Sequence, residues 1–295
     1  MRVTVSGATG TIGRALVEEL RGRGDEVVVL SRDPERGDFA WPDPQGEQPP
    51  PDSLRGNDGV VHLAGEPLAQ RWSEWAKREI RDSRVLGTRN LVAALRALPE
   101  AERPPVLVSQ SAVGYYGARG DEELDESASG GDDFLARVVA SWEAEARPAE
   151  ELGVRVVTTR TGVVLARGGG ALEKMLPPFR LGVGGPVAGG GQYVPWVHLD
   201  DVVGAMLFCL EEAAARGPVN VTAPEPVTNK ELSRALGRVL RRPAVAPVPA
   251  FAVRLLYGEM AMVVTTGQRA MPKRLTELGY AFKRPALEAA LRAAV

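Results

Sequence analysis

Apolar and polar positions follow two different periods along this chain, and the order of those periods predicts its architecture. Val3 and Val5 alternate with polar neighbours, as in a strand. Gly7, Gly10 and Gly13 come next, and Ala15, Leu16, Val17 and Leu20 then mark one face of a helix. Glu26 to Leu30 and Gly59 to Leu63 are short apolar runs that read as buried strands. From Ser73 to Leu98 a long helix is predicted, its apolar set including Ile80, Leu91, Val92 and Leu95. Pro104-Pro105 stops the chain before a further strand, Val106 to Ser111. A helix over 134–152 then leads through Gly153 into a strand over 154–159. Strands and helices alternating in this way predict an α/β protein with a doubly wound parallel sheet, the Rossmann arrangement.

After Leu165 the pattern changes. Gly168-Gly-Gly170 and the stretch 181–191 are glycine-rich, but Met175 to Arg180 interleaves aromatic and aliphatic residues, which predicts an ordered lobe rather than a linker. Tyr193 to Asp201 returns to strand-like alternation and begins a helix, with Asp200 or Asp201 expected as its N-cap. Helices are also expected near 229–240, 250–264 and 285–294. The predicted division is therefore a Rossmann domain of residues 1–165, to which 195–222 return. A small C-terminal α/β lobe, 166–194 with 223–295, is expected to cover the cleft where substrate sits.

Composition narrows the functional classes. Lys and Arg number 36 against 38 Asp and Glu, a net charge of −2 without like-charge blocks, so neither nucleic acid nor binding through a basic surface is expected. No apolar run approaches the ~20 residues that span a bilayer, so a membrane is not an expected partner. Cys209 is the one cysteine and lies in an apolar helical stretch, which excludes a disulfide framework and suits a reducing cytoplasm. Two histidines, His62 and His198, do not make a zinc site on their own. A small molecule is the expected partner, and a homo-oligomer is compatible with the pattern.

The first turn carries the clearest chemistry. Glycines between a strand and a helix let the backbone approach a pyrophosphate while the helix N–H groups and dipole face its charge. Gly7, Thr9, Gly10, Thr11, Ile12 and Gly13 are thus expected cofactor contacts. The second strand ends at Ser31-Arg32, with no acid at its tip to bind a ribose 2′-OH. Arg32 beside a small hydroxyl favours a 2′-phosphate, hence NADP(H), although Asp33 next to it could turn toward the ribose. Ala64 and Gly65 leave room for a cofactor to cross the sheet edge. His62, inside an apolar run, reads as a packed strand residue.

These motifs resemble the extended short-chain dehydrogenase/reductases, the superfamily of nucleotide-sugar epimerases and dehydratases. Gly7-x-x-Gly10-x-x-Gly13, His62-Leu-Ala-Gly65, Ser109-Gln-Ser111 and Val197 to Asp201 carry the resemblance. Arg71-Trp72, Ser83-Arg84, Gly114-Tyr-Tyr-Gly117, Trp142-Glu143, Met175 to Gly182 and Pro195-Trp-Val-His198 are similar to its atypical "epimerase family protein" subgroup, sometimes labelled cell-division-inhibitor-like. The resemblance implies NADP(H) binding, and it adds Leu63, Glu79 and Arg84 as cofactor contacts.

It also implies a catalytic tyrosine with a lysine one helical turn away, and a serine that orients the substrate oxygen. Ser111 matches the serine, but the stretch 134–152 contains neither tyrosine nor lysine. Tyr115 and Tyr116 are the substitute phenols, and Arg137 or Lys174 the substitute cations; packing is the plainer reading of both tyrosines. His198 is eligible by its titration range, with a positional role as the alternative. The chain thus reads as an NADP(H)-binding epimerase/oxidoreductase-like protein acting on an unidentified small molecule. The alternative reading is a non-catalytic NADP(H)-binding regulatory or redox-sensing module.

Overall fold

A computed structural model describes residues 1–295. Seven parallel strands form the central sheet: β1 (Arg2–Ser6), β2 (Glu26–Ser31), β3 (Phe39–Ala40), β4 (Gly59–His62), β5 (Val106–Ala112), β6 (Arg155–Thr161) and β7 (Gly217–Val221). Their order is β7-β6-β5-β4-β1-β2-β3. Successive strands run outward from β1 on one side and from β4 on the other, so a crevice opens between those two at their C-terminal ends. This is the doubly wound Rossmann arrangement.

Helices α1 (Thr11–Gly22), α2 (Glu74–Ala97), α3 (Phe134–Ala146), α4 (Gly170–Arg180), α5 (Leu199–Glu211) and α6 (Asn229–Leu240) are followed by the shorter α7 (Ala250–Tyr257), α8 (Met262–Thr265), α9 (Lys273–Glu277) and α10 (Leu287–Ala294). Strand alternation sends Val3, Val5, Val27 and Val29 to the face covered by α1 and α5, where Leu16, Leu20, Val202 and Met206 meet them. Leu30, Val60, Leu107 and Val156 point to the opposite face, against Leu91, Leu95 and Ala146 of α2 and α3. A third core joins Leu172, Leu176 and Phe179 of α4 to Leu232, Leu236 and Leu291 of the small lobe, and Leu165 and Trp196, expected in the Rossmann domain, pack into it as well. Leu275 of α9 packs instead into the core under α1 and α5.

Several elements depart from the sequence reading. The 134–152 helix is α-helical only to Ala146 and continues as a 3₁₀ segment, Arg147–Leu152, because Pro148 cannot donate to the α ladder. The expected helix over 250–264 breaks at Gly258 (φ 61°) into α7, a 3₁₀ turn and α8. In α4, Pro177 and Pro178 occupy the last turn, and burial of Leu172, Leu176 and Phe179 holds the helix regardless. The N-cap of α5 is His198, not Asp200 or Asp201; its Nδ1 accepts from the Asp200 N–H at 3.0 Å. Asp201 instead receives the backbone N–H groups of Lys283 (2.6 Å) and Arg284 (2.9 Å) and so fastens the C-terminal segment to α5. The proline-rich stretch after β2 is docked on α2: Trp41 is buried, and Asn90 donates to the carbonyls of Pro44 and Gln45. No helix is long and apolar enough to cross a membrane.

Candidate dinucleotide and acid–base site

The glycine turn lies over the crevice between β1 and β4. Gly7 has φ 71°, and a Cβ there would stand 2.7 Å from the Leu63 carbonyl carbon and 2.8 Å from the Ala64 nitrogen. A Cβ on Gly13 would overlap the Gly7 carbonyl oxygen. Both positions therefore require glycine, and they bring the ends of β1 and β4 into backbone contact with the start of α1. Gly10 caps α1 without a side chain, and the first turn holds no acid. The N–H groups of Thr11, Ile12 and Gly13 have no internal acceptor, and the helix dipole adds to their pull on an anion.

At the tip of β2, Asp33 is committed elsewhere. Its carboxylate accepts from the Glu35 N–H at 3.0 Å and pairs with Arg36 at 3.2 Å, which turns it into its own 3₁₀ turn. Arg32 is exposed, with no carboxylate partner. An open cavity of about 610 Å³ beside Thr9 gathers Arg14, Arg21 and Arg36 against the single carboxylate of Glu18.

At the tip of β4, Arg84 of α2 lies against Gly65, its Cζ 3.2 Å from where a Cβ would be. Its guanidinium makes one hydrogen bond, to the Ile80 carbonyl, and sits over the Trp142 ring. Burial pushes its pKa down to about 10, with the charge of Glu66 opposing the shift in part. Glu79, one turn earlier, accepts from Gln45 at 3.0 Å, which ties the proline-rich segment to the same wall.

The C-terminal ends of β5, β6 and β7 carry a polar row of which the sequence reading singled out only Ser111. Ser111, Arg160 and Asn220 are register partners across three adjacent strands. Arg160 grips Glu143 of α3 through two bonds of 2.8 Å, Nε to Oε1 and Nη2 to Oε2, with both side chains buried. Burial opposes the Arg160 charge, and the hydrogen bonds and charge of Glu143 overcome it, so its pKa is raised. Ser111 Oγ donates to Glu143 Oε1 at 2.6 Å. Arg160 Nη1 donates to the Tyr116 hydroxyl at 3.1 Å, and that hydroxyl donates to Asn220 Oδ1 at 2.7 Å.

This network redistributes the candidate acid–base groups. Ser111 and Tyr116 are fully buried and held by internal partners, and burial pushes the Tyr116 phenol up to about 12 despite Arg160. Both are placed as members of the buried cluster rather than as groups facing a substrate. Tyr115 differs: it is partly exposed, its ring lies 3.5 Å from Arg160 Cζ and edge-on to Tyr116, and its hydroxyl has no partner in the chain. Arg160, not Arg137 or Lys174, is the cation at the tyrosines. Arg137 is exposed and bonds the Asp132 carbonyl; Lys174 reaches the Ala69 carbonyl.

His198 accepts through Nδ1 as the α5 cap, and burial lowers its pKa. His62 is fully buried, bonded to Ser6, and pushed down to about 4 by burial. Cys209 is buried, which raises its thiol to about 12. A signal for the missed pair existed: Glu143 falls four residues after Val139 and three before Ala146, on the buried face of α3. A carboxylate at such a position requires a buried partner.

A parallel sheet in this order, with an uncapped helix terminus behind a glycine turn at its switch point, defines a Rossmann α/β protein of the nucleotide-binding kind. The chain belongs to the NAD dependent epimerase/dehydratase family, whose model matches residues 3–222; residues 248–294 match a domain of unknown function. It is 42% identical over 300 residues to the chloroplastic epimerase family protein SDR39U1 homolog of Arabidopsis thaliana, covering 99% of this chain and 86% of that protein. Human epimerase family protein SDR39U1 is 40% identical over 298 residues, 99% of each chain. A crystal structure of the human protein with NADPH superposes with a TM-score of 0.91 at 39% identity, covering 100% of this chain and 99% of that one. A Thermus thermophilus UDP-glucose 4-epimerase with NAD, at 21% identity and a TM-score of 0.76, shares the fold.

Proposed function

We propose that the chain is an NADP(H)-dependent oxidoreductase that acts on a small molecule between the C-terminal sheet edge and the small lobe. Tyr115 is its proton donor. The stack of Tyr115 on Arg160 carries this reading: a phenol with a free hydroxyl lies against a cation fixed by Glu143, in a family member whose α3 has lost the tyrosine–lysine pair. A cation at the ring face favours the phenolate that proton donation leaves behind. Hydride transfer is the cofactor's chemistry, and the chain's part is to hold the nicotinamide at this edge and keep water from it. NADPH oxidation across a panel of aldehydes and ketones is the test. Turnover is expected to fall at least about a hundredfold in Tyr115→Phe, the scale of general acid catalysis, with NADPH affinity retained. Full activity in that variant refutes the role.

Cofactor choice rests on Arg32, with Asp33 turned away, and NADPH in the human relative agrees with it. Calorimetry is expected to show NADPH binding weakened by about 1.5–3 kcal/mol in Arg32→Ala while NADH binding is unchanged, the scale of a hydrogen bond to a charged group. Equal losses for both nucleotides contradict the assignment. The lone buried Cys209 supports a reducing compartment such as the cytoplasm.

A further inference from the structure

Nine of the eleven large hydrophobic side chains that the chain exposes lie in two segments of the small lobe, 181–183 and 245–264. Leu181, Val245, Phe251 and Leu255 stand between 73% and 81% exposed, so they protrude instead of lining a groove. The two segments adjoin. The Val248 N–H donates to the Pro186 carbonyl, the Ala188 N–H to the Val248 carbonyl, and Pro243 lies 3.6 Å from where a Gly182 Cβ would be. Beside them, at the end of α6, an opening of about 420 Å³ is lined by Arg234, Arg238, Arg241 and Arg242. Only Arg238 is paired, with Glu288 at 2.6 Å. Arg241 caps α6 at φ 54°, a left-handed setting that favours glycine.

We propose that this face of the small lobe docks on an anionic lipid surface, with the protruding apolar side chains entering the headgroup layer and the arginine opening taking lipid phosphates. Protruding aliphatic and aromatic side chains beside unpaired guanidinium groups suit an interface that is apolar within and anionic at its rim. The expectation from sequence was that no membrane is a partner, because no apolar run spans a bilayer, and that no basic surface forms, because the charges are scattered along the chain. Folding gathers them: Arg234, Arg238 and Arg241 share one side of α6 and its cap.

Co-sedimentation with phosphatidylcholine vesicles, with and without phosphatidylglycerol, tests this. The chain is expected to bind the anionic vesicles, weakly bind the neutral ones, and lose binding as salt rises. R234Q/R241Q/R242Q is expected to lose roughly a hundredfold in vesicle affinity, at about fivefold per arginine. F251S/L255S is expected to lose binding also, and calorimetry with NADPH confirms that each variant is folded. No binding of the unaltered chain to anionic vesicles at low salt overturns the proposal, as does binding indifferent to both variants. Sedimentation velocity showing a dimer that F251S/L255S dissociates, or competition by a polyglutamate peptide but not by anionic vesicles, assigns the face to a protein and overturns it equally.

Discussion

Glu143→Ala is expected to destabilise the chain by about 3–5 kcal/mol, because it leaves Arg160 charged and unpaired in the interior. The pair is enclosed between α3 and the ends of β5 and β6, with side-chain exposures of 4% for Arg160 and 7% for Glu143. No other carboxylate bonds Arg160; its remaining acceptors are the Tyr116 hydroxyl and the Glu126 carbonyl. The Ser111 hydroxyl loses its acceptor in the same step, adding an unsatisfied polar group. Denaturant unfolding followed by circular dichroism measures the loss. The triple variant Ser111→Ala, Glu143→Met, Arg160→Met is expected to recover most of it, since apolar groups of similar volume remove the desolvation cost altogether. Stability and turnover then separate: the triple variant folds, but Tyr115 has lost its cation and activity stays low. A single-variant loss below about 1 kcal/mol contradicts burial of the pair.

Gly13→Ala is expected to weaken NADPH binding by at least about a hundredfold, the equivalent of losing two hydrogen bonds to a charged group. The new Cβ meets the Gly7 carbonyl oxygen and stands 2.7 Å from the Ala8 Cα, so relief requires the backbone turn itself to move. That movement draws the N–H groups of Thr11, Ile12 and Gly13 away from the pyrophosphate. Gly22→Ala at the other end of α1 is the control. Nothing lies within 4 Å of its Cβ position, and the substitution is expected to leave affinity unchanged while stabilising the helix by roughly 0.5–1 kcal/mol. Calorimetry on both variants decides it; near-equal affinities sink the phosphate-cradle reading of the turn.

The glycine turn and the strands around it were legible because their signals are local. Gly7, Gly10 and Gly13 sit within one turn of chain, the buried strands are continuous apolar runs, and Arg32 follows its strand directly. The acid–base half depends on contacts between distant residues. Arg160 lies 17 residues from Glu143, 44 from the Tyr116 hydroxyl it bonds, and in another strand from Ser111. Read alone, it was simply the polar end of a strand. The same limit hid the orientation of Asp33, which depends on Glu35 and Arg36, and the capping role of His198, which depends on where α5 begins. Local helix breakers were misjudged in both directions. Pro177 and Pro178 obscured α4, which tertiary packing rescues, whereas Gly258 did not deter the expectation of one helix over 250–264.

The proposed dinucleotide path runs from Arg32 at the tip of β2, over the glycine turn, to Arg84 at the tip of β4. The Tyr115–Arg160 stack stands further along the same sheet edge, past the crevice. An oxidoreductase needs those two places to meet at the nicotinamide. A crystal structure of the chain with NADPH tests this directly. The pyrophosphate is expected on the N–H groups of Thr11 to Gly13, the 2′-phosphate against Arg32, and the Tyr115 hydroxyl facing the space above nicotinamide C4. A nicotinamide placed away from Tyr115, or a 2′-phosphate clear of Arg32, contradicts it.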